Sequence, residues 1–242
     1  MTPDSSAPSG GRSVGPPAPS GGRSVGPPAP SGARVLVAFL AGRTAFGLSY
    51  LAGNARLEAA ETHRARAEIA RAGRPDLLAR AELMRCAAQV AALVFEPCTG
   101  YERHRIDAAA PEQAYADYLA ARLHADQVPL LPTAHHAAAR WVPGTPAAPL
   151  LASIDDPLAR LIAAAVILQR QLAPDAGTSV TRPLPEPALL AVAVDTASAQ
   201  GWRRPLLAWL HLQARDAQAR GDAALAAAAQ RRIELVSGGG LR

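Results

Sequence analysis

The stretch DDPLARLIAAAVILQRQL, residues 155–172, decides the fold class. Leu158, Leu161, Ile162, Ala165, Leu168 and Leu172 recur at three- and four-residue intervals, which places them along one face of an α-helix and of nothing else. Asp155 or Asp156 caps that helix ahead of Pro157. A short carboxylate accepts from the orphan amides of a first turn, and proline at the first helical position has no amide to leave unpaired.

Working outward, the same pattern recurs almost throughout. Residues 56–72 are rich in Ala, Glu and Arg and stop at Gly73. Pro75 then opens a helix whose apolar positions Leu77, Ala81, Met84, Ala88, Ala91 and Phe95 carry it to residue 96, where Pro97 ends it. Pro111 opens another, expected to run to His124. Residues 133–141 make a short helix before the PGTPAAP loop, and three helices close the chain at residues 187–200, 205–220 and 222–236. No strand pattern with turn chemistry competes with them. The expected fold is all-α, a helical bundle of antiparallel helix hairpins.

Arg220, Gly221 and Asp222 join the last two helices by a connection short enough to force an antiparallel hairpin. Residues 207–237 resemble one tetratricopeptide-type unit. Trp209 lies near its start, the small Ala214 where the helices cross, Gly221 and Asp222 at the turn, and Ala226 on the second helix. Gln213 stands where a leucine is usual and Ala217 where an aromatic is usual, no proline closes the unit, and no second copy follows at a 34-residue period. The C-terminal hairpin is thus expected to be tetratricopeptide-like, one hairpin packed into a bundle.

The front of the chain is different. From Ala7 an eleven-residue unit, APSGGRSVGPP, occurs twice and begins a third time. With one Val per unit it cannot bury enough apolar surface to offset the entropy of ordering its backbone. Residues 1–33 are therefore expected to be a disordered tail, with a PxxP-type docking segment as the lesser reading. Residues 34–53 form an apolar segment with VLVAFLAG at residues 35–42, the length of a signal-peptide h-region and too short for a membrane span. Arg43 would cost about 2.5–3.5 kcal/mol at the centre of a longer span. Leu40, Ala41 and Gly42 resemble the first three positions of a bacterial lipobox, but Arg43 replaces the cysteine that would be acylated. The resemblance implies at most an ancestral or unlipidated export signal; separately, Ala45, Phe46 and Gly47 offer a site for non-lipoprotein cleavage after Gly47. The segment reads equally well as the first core helix. Residues 54–242 are the α-helical domain.

Charge narrows the partners. All 25 basic residues of the 242 are arginine, the net charge is +5, and Asn54 is the single asparagine, which is a pattern of codon bias as much as of ligand binding. The arginines are interleaved with Asp and Glu rather than gathered on one face, so nucleic acid is not expected as a partner. Membrane association is expected only through the N-terminal apolar segment.

Cys86 falls mid-helix. If that helix runs to Glu96, about 15 Å of helix separates the two, and Cys98 cannot return within the 7 Å needed for a disulfide unless the helix breaks early. One staple in an exported protein and two free thiols in a cytosolic one both fit. Their spacing matches no zinc pattern. His135 and His136 point about 100° apart on a helix and cannot share a metal through one face. A site there would need Asp117, His124 or Asp126, and partly exposed histidines are the plainer reading. No P-loop, GxSxG or HExxH occurs, and no cofactor is expected. The polar loop Tyr101, Glu102, His104, Arg105 and Asp107, with His135 and His136, is the candidate ligand site, because binding groups gather on loops held by packed helices. Two functions follow. The first is a non-enzymatic interaction or accessory protein of the bacterial cell envelope or periplasm, its partner another protein. The alternative is a soluble, cytoplasmic helical-bundle enzyme or small-ligand binder.

Overall fold

The computed structural model describes residues 45–173 and 184–238, and every regular element among them is helical. The repeat tail at residues 1–33 and the apolar run at residues 35–42 lie outside the described residues.

Among the described residues eleven α-helices follow in order: α1 Ala45–Leu51, α2 Ala55–Arg71, α3 Pro75–Ala91, α4 Thr99–Glu102, α5 Ala110–Leu119, α6 His136–Ala139, α7 Ala148–Ala152, α8 Pro157–Leu172, α9 Pro187–Ala199, α10 Arg203–Ala219 and α11 Ala223–Gly238. Three short 3-10 turns, Arg105–Asp107, Ala125–Leu130 and Thr133–His135, connect the middle of the chain.

Helix α8 is the central element. Asp156 caps it, its Oδ1 accepting from the Ala159 amide at 2.6 Å, and Asp155 stays exposed. The expected single stripe is exceeded: every residue from Leu161 to Leu168 is buried, so α8 is enclosed on all sides, as a helix apolar all round must be. It packs on α3 and α9. Beyond α9, α10 and α11 stack in sequence, each joined to the last by a tight turn. At Gly201 and Gly221 the backbone turns left-handed, with φ +64° and +77°. The next amide returns to a carbonyl five residues back, Trp202 to Ala197 and Asp222 to Ala217, satisfying carbonyls that a helix end leaves bare. Helix α1 docks through Tyr50 and Leu51, which are buried, and Arg204 of α10 lies 4.0 Å over the Tyr50 ring. Tyr50 and Leu51 of α1 are thus part of the core.

Two helices end earlier than their apolar pattern suggests. Helix α3 stops at Ala91 rather than residue 96 because Leu93 adopts φ +61° and the Val94 amide closes on the Gln89 carbonyl at 3.0 Å. Glu96 then precedes proline, which disfavours helical backbone. Helix α5 stops at Leu119 rather than His124 for the same reason, with Ala121 at φ +55° and the Arg122 amide on the Asp117 carbonyl at 2.9 Å. The early end of α3 settles the cysteines. The chain doubles back, Cys86 and Cys98 come to a Cα separation of 5.8 Å, and they form a disulfide.

Helix α2 is the exception to apolar packing, since none of its side chains is buried. It meets α3 through ion pairs, Glu58 with Arg85 at 2.9 Å and Arg66 with Glu82 at 2.5 Å. Thr62, Ala65, Arg66, Ala81, Glu82 and Arg85 surround a void with room for about one water molecule.

Candidate functional site

The loop after Cys98 is built by α4 and the Arg105–Asp107 turn, pinned at one end by the disulfide. Gly100 sits so close to α3 that a Cβ there would run into the Glu82 carboxylate. That approach draws Tyr101 into the core, where it is fully buried. Its hydroxyl has no hydrogen-bond partner among the described residues, and burial pushes the phenol up to about 12. Arg105 lies 5.9 Å over the Tyr101 ring and forks onto Asp117 of α5, with Nη2 at 2.9 and 2.8 Å from the two carboxylate oxygens. Arg122 reaches the same carboxylate at 2.9 Å, and both arginines lie 3.3 Å from Glu102. Gln113 donates to the Arg105 and Ala108 carbonyls. Glu102 and Arg105 of the loop are therefore held by each other and by Asp117 and Arg122. His104 is half-buried, Asp107 is exposed, and Ile106 between Arg105 and Asp107 is 92% exposed.

His135 and His136 differ sharply. His136 is half-buried and donates from Nε2 to the Leu131 carbonyl at 2.9 Å. His135 is buried, against the expectation of a partly exposed helical histidine, because the Thr133–His135 turn directs it between Tyr115 and Tyr118 of α5. Its ring centroid lies 5.3 Å from that of Tyr115 and 5.0 Å from that of Tyr118. Burial, reinforced by His136, pushes its imidazole down to about 3, so it is neutral at pH 7.

The two halves of the candidate site thus lie on different sides of α5. The loop grips Asp117, whereas His135 packs on Tyr115 and Tyr118, and residues two apart on a helix point about 200° apart. No hydrogen bond or ring contact joins residues 101–107 to residues 135–136 among the described residues. Asp117, a helper for a metal in the sequence reading, is held by two arginines, and His124 lies beyond the end of α5. Among the described residues no group of three or more His, Cys, Asp or Glu could hold a metal ion.

Some polar residues of the core gave no sequence signal. Glu112, in α5, is buried and pairs with Arg80 of α3 at 2.6 Å, leaving Oε2 without a partner. Glu82 and Asp216 are buried beside Arg66 and Arg220. Tyr115 and Tyr118 lie three apart and so share one face of α5, but nothing in that spacing marks where His135 lands.

No helix among the described residues is long and apolar enough to cross a membrane. No protein-family model, curated protein or solved structure matches this chain. Its class therefore rests on its own geometry: an all-α protein of stacked helices carrying one disulfide.

Proposed function

We propose that this protein is an exported, non-enzymatic helical scaffold of the bacterial cell envelope that holds another protein. The observation that carries the reading is the Cys86–Cys98 disulfide, since such bonds persist in oxidising compartments and are rare in the cytosol. It agrees with the h-region-like VLVAFLAG at residues 35–42. The non-enzymatic part is supported by how the candidate polar groups are engaged. Arg105, Glu102 and Asp117 bind one another, and His136 binds a backbone carbonyl. A catalytic reading would need these groups to converge on a substrate, and they converge on the fold.

The α10–α11 hairpin is proposed as the binding module, a single tetratricopeptide-like unit. Trp209 and Ala217 are fully buried, Ala214 is buried between the helices, and Asp222 caps α11 by accepting from the Leu225 amide at 2.9 Å.

Cell fractionation with thiol labelling tests the proposal. The full chain, expressed in a bacterium and labelled with a maleimide under denaturing, non-reducing conditions, should appear in the periplasmic fraction with neither cysteine labelled. A cytoplasmic chain with both thiols labelled would remove the envelope reading.

A further inference from the structure

We propose that His135 is an acid-operated latch, whose protonation releases the segment 125–139 from helices α5 and α8. The segment comprises the turns Ala125–Leu130 and Thr133–His135 and helix α6, three pieces too short for a regular core helix. Such elements form the low-stability units that open before a core helix does. Its attachments are Val128, Leu131 and Ala138, which are buried, the two Arg170 contacts to the Ala138 and Ala139 carbonyls, and His135 itself.

The surroundings of His135 suit a neutral ring and not a cation. From α5 it faces the Tyr115 and Tyr118 rings, inclined to it by 52° and 51°. The Tyr115 hydroxyl stands 3.5 Å from Nε2, at the outer limit of a hydrogen bond, while Nδ1 and the Tyr118 hydroxyl have no partner among the described residues. From α6 the neighbouring group is His136, a like charge if protonated. Arg170 of α8, stacked 5.6 Å over Trp141, is within electrostatic reach of Tyr118, and Asp156, the cap of α8, is within reach of Tyr115, the two rings that flank His135. Asp126 and His124, flanking the first turn, are exposed. No carboxylate bonds to either nitrogen of His135 among the described residues. An imidazolium there would carry two N–H donors with at most one long acceptor, so the charged ring is stable only in water.

The sign follows from linkage. An unfolded or released His135 binds its proton near the ordinary value of about 6.5, and the buried ring only near 3. Between those values the open form holds more protons than the closed one. Closure is therefore undiminished above pH 6.5 and is progressively lost as pH falls toward 3. From pH 7 to pH 5 the opening constant should rise roughly 25-fold.

Hydrogen–deuterium exchange of the full chain at pH 7 and pH 5, corrected for the intrinsic pH dependence of amide exchange, reads this directly. Amides of residues 125–139 should be less protected than those of α8 at both pH values, and their protection should fall roughly 25-fold at pH 5. The variant His135→Phe, which keeps a ring among rings, should flatten that fall. The latch is overturned if the segment is as protected as α8, so that it opens only with the whole molecule, or if His135→Phe shows the same loss at pH 5. Should that variant fail to fold, proton NMR of the wild-type histidines decides. The latch requires the closed form to show a neutral His135 ring down to pH 5, and a midpoint near 6.5 with segment protection intact would overturn it.

Discussion

The indole Nε1 of Trp209 donates to the carbonyl of Ala91 at 3.0 Å, joining α10 to the C-terminus of α3 across 118 residues of sequence. Ala91 is the last residue of α3, whose carbonyl has no helical partner beyond it, and Trp209 is fully buried. Trp209→Phe should keep most of the packing and orphan the carbonyl, costing about 1–3 kcal/mol. Trp209→Ala should cost about 3–5 kcal/mol. Urea unfolding of the two variants should give that order, and a Trp209→Phe variant as stable as wild type would mean that the hydrogen bond contributes nothing.

The Cys86–Cys98 bridge closes a short loop, 12 residues in sequence separation, over the early end of α3. Chain-entropy arguments give a loop of that size about 3 kcal/mol. Cys86→Ala/Cys98→Ala should therefore unfold at lower urea than wild type, and a reductant should lower the wild-type midpoint while leaving the double variant unmoved.

Gly100→Ala should destabilise by about 1–3 kcal/mol, because its Cβ would collide with the Glu82 carboxylate that Arg66 holds. In thermal unfolding, Gly100→Ala/Glu82→Ala should recover part of that loss. No recovery would place the damage elsewhere.

Ala121→Gly should act in the opposite direction. Ala121 ends α5 with φ +55°, where a Cβ is strained and glycine is not. Relief should raise stability by about 0.5–1 kcal/mol, offset in part by the greater freedom of glycine in the unfolded chain. A lower midpoint in urea would show that the partly buried methyl outweighs the strain.

Much of the architecture was legible along the chain. Helix α8 with its aspartate cap, the glycine turn between α10 and α11, and the order of the longer helices follow from spacings of three or four residues and from Gly, Pro and Asp at their ends, whereas the short α4 and α7 fall where the sequence reads as loop. The two misjudged helix ends, at Ala91 and Leu119, share one cause. Leu93 and Ala121 take the left-handed conformation without being glycine, so no residue type announces the stop.

The candidate site was legible only as a collection of residues. Tyr101, Glu102, Arg105, His135 and His136 are polar or aromatic wherever they fall, but sequence cannot say that Arg105 will fork onto Asp117 or that His135 will be enclosed by two tyrosines. Helix formation is read from neighbours three and four residues away, and such information is carried by the chain itself. The disulfide, the burial of His135 and the bond from Trp209 to Ala91 depend on which helix faces meet. That choice is made by close packing of distant surfaces, which no local spacing encodes.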